Sequence, residues 1–276
     1  MAKSCSNIKD VYKEFNKIDG YFGEQTLSNG LKVERINGLI YYYCLNGKTI
    51  GKGNCNGYFD MASSGVMHLL KNLKDKNGLE YDKLAEYAIL WLSYKLNKYK
   101  HNKFDKLNEF YTKYIENNKH YNEKIKINGP TYKDIIDNKK DLMNMNIKEI
   151  LKFYEALKNL CNMYNKYNEN NMDCKKCLED ANKFVVQFKE LNKDSKNIDN
   201  ISYSQMLSTL SNDYDNLKNI YDNKCTNSPP LPMIKTPPSK LIPALSTFSV
   251  IPVFLGIAYK TIFKKKIKKN KEENEN

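Results

Sequence analysis

The stretch "YDKLAEYAILWLSYKLNK", residues 81–98, decides the class of fold. Its apolar side chains recur at the three- and four-residue intervals of an α-helix and cover more than half of its circumference. These side chains are Leu84, Tyr87, Ala88, Trp91, Leu92 and Leu96. A helix that is apolar over so much of its surface is buried, so the sequence predicts the central core helix here.

Helical periodicity also occurs on both sides of this stretch, in residues 5–18, 59–75, 104–117 and 131–143. Start signals predict the caps of four helices. They are Ser6 for the first helix, Asn146 with Glu149, Asp173, and Ser202 with Gln205. No internal repeat of solenoid type is present, so residues 1–225 are predicted to form an all-α, irregular, cysteine-containing domain.

The segment from Asp19 to Cys55 differs from its surroundings because it is rich in glycine and asparagine. Such residues favour turns, and "INGLIYYYCLNGKTIGKGNC" places them around one apolar patch. We therefore expect a loop-rich segment, with room for one short hairpin that a Cys44–Cys55 bridge could close.

The C-terminal region predicts a membrane-spanning helix over residues 241–263. "LIPALSTFSVIPVFLGIAY", residues 241–259, carries no charge, and as a helix it would be roughly 28 Å long, close to the roughly 30 Å apolar thickness of a bilayer. Residues 226–240, "TNSPPLPMIKTPPSK", predict a stiff proline-rich stalk, and residues 264–276 form a lysine-rich tail. By the positive-inside rule the tail is cytoplasmic and the preceding domain lies outside.

All seven cysteines precede the predicted span, which favours disulfides in an oxidising compartment. The candidates are Cys5, Cys44, Cys55, Cys161, Cys174, Cys177 and Cys225. Their odd number leaves at least one thiol unpaired, the pairing stays open, and ordinary buried thiols of a reduced domain are the alternative. The N-terminal "MAKSCSNIKDVYKEF" has no apolar run of signal-peptide length, so we expect the C-terminal span to direct membrane insertion.

The charge pattern and the motifs argue against several functions. The net charge is +13, but Arg35 is the one arginine among 45 basic residues, which disfavours base readout in nucleic acids. Neither the three histidines nor "CKKC" at 174–177 has metal-site spacing, and no phosphate-loop or nucleophile-elbow motif is present. We expect no catalysis, no cofactor, no metal and no small-molecule substrate. "NIS" makes Asn200 a possible glycosylation site.

Four stretches resemble the PIR (Plasmodium interspersed repeat) family of variant surface proteins of malaria parasites. They are "VYKEFNKIDGYF" after Cys5, "CNGYFD" at 55–60, "YAILWLSYKL" at 87–96 and "FLGIAYK" at 254–260. The most specific is the membrane-exit motif Gly256, Ile257, Ala258, Tyr259 and Lys260. The lysine-only "TIFKKKIKKNKEENEN" that follows departs from the aromatic, arginine-bearing run usual in the family.

The resemblance implies an exported single-pass protein of infected-cell or parasite membranes, with a helical ectodomain that serves antigenic variation, immune evasion or host-cell binding. Its expected partners are the lipid bilayer and an unidentified host-cell or serum protein. Residues 19–55 and 117–130 are the expected contact regions. The alternative is a membrane scaffold or trafficking protein whose large domain faces the cytosol. An enzyme would require a pocket of converging titratable groups.

Overall fold

The helical periodicity of the sequence recurs in the computed structural model of the chain. The structure describes residues 3–44, 55–75, 79–166, 173–194 and 200–222, together with Cys225 and Pro230. All of these residues belong to one unit, Met1–Ile234. Helices dominate it, which confirms the predicted helical class.

The N-terminal part combines two helices with a β-hairpin. Its elements are α1 (Lys3–Asp19), β1 (Phe22–Thr26), β2 (Lys32–Ile36) and α2 (Gly38–Tyr41). The two strands pair antiparallel, with Gly23 opposite Arg35. Asn37 begins α2, because its side-chain oxygen accepts a hydrogen bond from the Leu39 N–H at 3.0 Å.

Two long helices form the centre of the core, α3 (Tyr58–Leu73) and α4 (Tyr81–Lys98). Every apolar position predicted to lie on the buried side of α4 is buried, which confirms it as a core helix. The helices approach closely where Gly65 of α3 faces Trp91 of α4. A Cβ atom on Gly65 would lie 2.5 Å from Cη2 of Trp91, so only glycine fits there without a shift.

Short helices follow: α5 (Leu107–Tyr114), a 3₁₀ helix (Lys119–Asn122), α6 (Tyr132–Asp137) and α7 (Lys140–Met143). The single helix predicted over 131–143 is therefore two. The break falls at Lys139, whose backbone leaves the helical region (φ −122°, ψ 32°) and whose Nζ lies 2.9 Å from Glu86 Oε1. The helical pattern predicted over residues 104–117 corresponds to the shorter α5, which begins at Leu107 because Lys106 is held extended in a β-bridge with Asn146.

Three long helices complete the described fold: α8 (Ile147–Lys166), α9 (Cys174–Lys193) and α10 (Ile201–Asp222). Two predicted caps are confirmed. Asn146 Oδ1 accepts the Lys148 N–H at 2.9 Å, and Asp173 Oδ1 accepts the Lys176 N–H at 3.2 Å. Each satisfies a donor that the first helical turn leaves open.

Two other predicted caps are wrong. Ser6 lies inside α1, which begins at Lys3. Ser202 lies inside α10, and Asn200 caps that helix by accepting the Tyr203 N–H at 2.9 Å. The Ser202 hydroxyl donates instead to the carboxylate of Asp141, a charged acceptor that forms a stronger hydrogen bond than a neutral one.

Helix α4 lies at the centre of the packing, against α3 on one side and α8 on another, and α8 also packs on α9. Helix α1 covers this core by contacting α3, α8 and α10. Aromatic rings fill the contacts between helices. The ring centroids of Phe15 and Tyr87 are 6.1 Å apart, and those of Phe184 and Tyr214 are 5.0 Å apart. The core therefore runs through both halves of the domain.

The predicted stalk, transmembrane helix and tail lie outside the described residues, except for Pro230. In the part of the chain that the structure describes, no helix is long and apolar enough to cross a bilayer. The boundaries of these segments stay predictions.

Candidate binding surface

The β-hairpin occupies much of the segment predicted to be loop-rich. Its turn depends on Asn29 and Gly30. Asn29 Oδ1 accepts the Leu31 N–H at 3.1 Å, and the Gly30 N–H donates to the Leu27 carbonyl at 2.9 Å. Gly30 has φ +80°, a conformation that residues with a side chain rarely adopt. The short asparagine and the following glycine therefore position this turn.

The Cys44–Cys55 disulfide forms, with its Cα atoms 5.1 Å apart. We expected this bridge to close the hairpin, but it does not. The hairpin ends at Ile36, before the first of the two cysteines. The bridge instead joins the end of the α2 region to the residues just before α3. The short helix α2 is thereby tied to the core helix.

Exposed apolar side chains concentrate along the hairpin and α2. Eight large hydrophobic residues are exposed among those described, and five of them lie between residues 27 and 42. These five, which we call the hairpin surface, are Leu27, Leu31, Val33, Leu39 and Tyr42. Exposed apolar side chains concentrated in one stretch of the chain make that stretch a candidate for contact with a partner.

The base of the hairpin is held by the core. Phe22, at the start of β1, packs edge-on against Tyr58 and Trp91, with ring centroids 5.2 Å and 5.8 Å apart. Lys95 of α4 donates from Nζ to Asp19 Oδ1 at 2.9 Å and to the Phe22 carbonyl at 3.1 Å. Its ammonium also lies 4.2 Å from the Phe22 ring centroid. The surface therefore projects from a fixed base.

The Lys95 ammonium is a buried charge. Burial lowers its pKa from the usual lysine value, while the adjacent Asp19 carboxylate acts in the opposite direction. Removal of Asp19 would leave the buried Lys95 ammonium without its counter-ion, whereas the Asp19 side chain itself is 33% exposed. The pair therefore contributes to the position of β1 as well as to stability.

A second disulfide joins Cys174 to Cys225, with the Cα atoms 5.5 Å apart. It connects the first residue of α9 to the chain just beyond α10. The prediction that the domain contains disulfides is thus confirmed.

Comparison with known proteins identifies the family. Residues 12–260 match the family described as "Plasmodium variant antigen protein Cir/Yir/Bir". The chain belongs to this Cir/Yir/Bir family. A solved structure of a Plasmodium PIR protein ectodomain is similar as well, with 38% sequence identity and a TM-score of 0.60 over 82% of this chain and 99% of that one. No curated protein matches the chain. The resemblance to PIR proteins is therefore confirmed.

Not all cysteine candidates of this Cir/Yir/Bir chain form disulfides. Cys161 on α8 and Cys177 on α9 are buried and lie outside both of these bridges. A buried cysteine packs as a small apolar side chain, and burial raises the pKa of the Cys161 thiol. The side chain of Cys5 lies outside the described part of the chain.

The environments of His68 and His120 indicate structural roles for these two histidines. His68 of α3 is largely buried, and burial together with Lys17 and Lys71 lowers its pKa to about 4. His120 Nδ1 lies 2.8 Å from Glu123 Oε1. Within the described ranges, no group of three or more histidine, cysteine or acidic side chains is placed to hold a metal ion.

Three further sequence predictions concern sites away from the hairpin. The predicted contact region 117–130 contains the 3₁₀ helix and Ile127, which is 91% exposed. Asn200 stays a predicted glycosylation site, and its side-chain oxygen caps α10. The motif Gly256–Lys260 falls outside the described residues, although the family match extends to residue 260.

Proposed function

We propose that this chain is an exported variant surface antigen of a malaria parasite. In this proposal residues 1–225 form the ectodomain on the outside of an infected-cell or parasite membrane, residues 241–263 cross the bilayer, and the lysine-rich tail is cytoplasmic. Family membership supports this function, and two disulfides favour an oxidising compartment. Antigenic variation and immune evasion are the processes it serves.

The ectodomain acts by binding a host-cell or serum protein, without catalysis. The observation that carries this proposal is the hairpin surface, where three apolar side chains of the hairpin and two of the α2 region remain exposed beside a buried hairpin base. Surface segments on a rigid helical scaffold tolerate changes of side chain, so the surface can vary while the core is kept. A binding surface of this kind suits an antigen whose surface residues differ from one family member to another.

Binding can be tested with the full-length chain displayed on cells and a panel of host surface and serum proteins. The double variant Leu31→Asp/Tyr42→Ser places a charge and a smaller polar group on the hairpin surface. It should lower binding to the recognised protein at least tenfold. The control Val186→Asp alters a side chain on α9 that is 57% exposed and lies outside both the hairpin surface and the expected contact region 117–130. Equal effects of the two changes, or no effect of the first, would reject the hairpin as the contact.

Topology is tested by protease treatment of intact cells together with a count of reactive thiols after denaturation. An external domain is digested, and with both disulfides formed no more than three of the seven cysteines react. A protected large domain with seven reactive cysteines would instead indicate the cytosol-facing scaffold or trafficking protein.

A further inference from the structure

A cleft of about 560 Å³ opens next to the base of the hairpin. Its walls come from the end of α1, both strands, the start of α3 and the end of α4. The side chains that the argument uses are Asp19, Arg35, Tyr58, Lys95, Lys98 and Tyr99. The volume falls within the roughly 300–1,000 Å³ of sites that bind small molecules.

Positive charge dominates the cleft. Its lining includes three basic side chains, Arg35, Lys95 and Lys98, and one acidic side chain, Asp19. Lys95 donates to Asp19 and to the Phe22 carbonyl, so it neutralises the carboxylate and has little capacity left for a ligand. Arg35 and Lys98 then supply the charge that a ligand would meet. Lys98 lines the cleft, and its Nζ also lies over the ring of Tyr94, 4.8 Å from the centroid, although Tyr94 is not one of the lining side chains.

Arg35 is the one arginine of a chain with 45 basic residues. It lies on β2 opposite Gly23, where the residue without a side chain leaves the space beside it open. A guanidinium presents two parallel N–H donors, a geometry that matches a carboxylate or a sulfate and that lysine cannot reproduce. The position therefore favours recognition of an oxyanion.

The remaining wall is aromatic, and because Tyr58 is only 5% exposed, the half-buried Tyr99 presents most of its ring surface. Tyr58 and Tyr99 stack with ring centroids 3.9 Å apart and planes 2° apart. The Tyr58 hydroxyl donates to the Lys95 carbonyl at 2.8 Å, which fixes the stack against α4. Polar groups of Gln25 and Thr26 line the same cleft. Flat apolar rings next to hydrogen-bonding groups suit a ligand with one apolar face and several hydroxyls.

We propose that this cleft binds an anionic sugar, with its carboxylate or sulfate held by Arg35 and Lys98 and its ring placed against the Tyr58–Tyr99 stack. The site goes beyond the proposed function, because it uses side chains outside the hairpin surface. A sialylated glycan and a sulfated glycosaminoglycan present the same chemistry, an oxyanion on a hydroxylated ring. An acidic peptide offers the charge without such a ring.

The test measures binding to the full-length chain in detergent micelles by saturation-transfer NMR and titration. The probes are 3′-sialyllactose, a sulfated heparin disaccharide and an Asp/Glu-rich peptide. At least one sugar should bind, more weakly as the salt concentration rises. Arg35→Gln and Lys98→Gln should each weaken sugar binding at least tenfold. Arg35→Lys should bind the sugar more tightly than Arg35→Gln but more weakly than the wild type. Lys126→Gln removes an exposed charge elsewhere and should change binding less than twofold.

Binding of sialyllactose alone identifies a carboxylate ligand, and binding of the disaccharide alone identifies a sulfated one. Failure of both sugars, equal or tighter binding of the peptide, or wild-type affinity in Arg35→Gln would overturn the proposal. Thermal unfolding midpoints verify that the variants are folded. The Leu31→Asp/Tyr42→Ser variant should keep its sugar affinity, so this site and the hairpin surface can fail separately.

Discussion

Lys139 Nζ lies 2.9 Å from Glu86 Oε1 in the protein interior, and the two side chains are only 2% and 5% exposed. Gln205 Oε1 accepts a hydrogen bond from the same ammonium at 2.5 Å, and Thr209 Oγ1 donates to the other Glu86 oxygen at 3.3 Å. The pair thereby connects α4 and α10 to the break between α6 and α7. Such a pair is costly to break, because removal of one partner leaves the other charge buried.

Lys139→Met should lower the free energy of unfolding by about 3–5 kcal/mol, because the Glu86 carboxylate loses its cation. Adding Glu86→Gln should recover part of this loss, since a neutral amide is less costly to bury. Urea unfolding of the single and double variants measures both effects. Lys140→Met, at the exposed next residue, should cost less than about 0.5 kcal/mol, and a similar loss there would contradict the role of the buried pair.

Asp213 should make stability fall as the pH rises toward neutral. Its carboxyl is buried beside Tyr87, and burial, with a further contribution from Glu86, raises its pKa to about 7 against the opposing effect of Lys83. In the unfolded chain an aspartate has a pKa of about 3.9. Between these values the folded protein keeps a proton that the unfolded chain has lost, so unfolding becomes easier as the pH increases from about 4 to about 7.

Asp213→Asn should remove this pH dependence. The free energy of unfolding of the variant, relative to that of the wild type, should therefore be higher at pH 8 than at pH 5. Denaturant unfolding at the two pH values measures the difference between variant and wild type. Asp215→Asn, an exposed aspartate on the same helix, provides the control and should leave the pH profile unchanged. A wild-type profile in Asp213→Asn would exclude this carboxyl as its source.

Gly65→Ala should destabilise the protein by about 1–3 kcal/mol, because the added methyl group overlaps Trp91 in a packed core. The chain has a single tryptophan, so its fluorescence reports the displaced ring directly. Gly38→Ala is the matched control, since a Cβ there meets no atom within 4 Å. Equal midpoints of the two variants in urea would show that the core accommodates the methyl group.

The two disulfides should differ in their contribution to stability. Their cysteines are 11 and 51 residues apart in the chain. Loop-closure entropy assigns about 3 kcal/mol to the Cys44–Cys55 bridge and about 4 kcal/mol to the Cys174–Cys225 bridge. Paired serine variants, unfolded under non-reducing conditions, test this order. A larger loss from the shorter loop would mean that local contacts outweigh chain entropy.

The helical core was predictable because periodicity reports burial directly. The stripe from Leu84 to Leu96 on α4 is buried as predicted, and the caps Asn146 and Asp173 are where the pattern places them. The cap of α10 was missed because Asn200 and Ser202 are both suitable residues. A tertiary contact decides between them, since Asp141 accepts the Ser202 hydroxyl.

The hairpin and the cleft were harder to predict. Asn29 and Gly30 carry a turn signal, but the flanking strands contain mostly polar residues without a clear alternation. The cleft joins residues that are distant in the chain, such as Arg35 and Lys98, and only the packed structure brings them to one site. The Cys174–Cys225 pairing could not be predicted for the same reason, because periodicity within a helix does not determine which helix ends meet.

The bridge from Cys174 to Cys225 also has a mechanical consequence. A pulling force applied to the chain beyond Cys225 passes through the disulfide into the start of α9. Helices α9 and α10 both lie within the covalent loop that the bridge closes, so tension on the C-terminal side bypasses them. The domain should therefore resist being peeled apart from that end, even where the noncovalent contacts of α10 are weak.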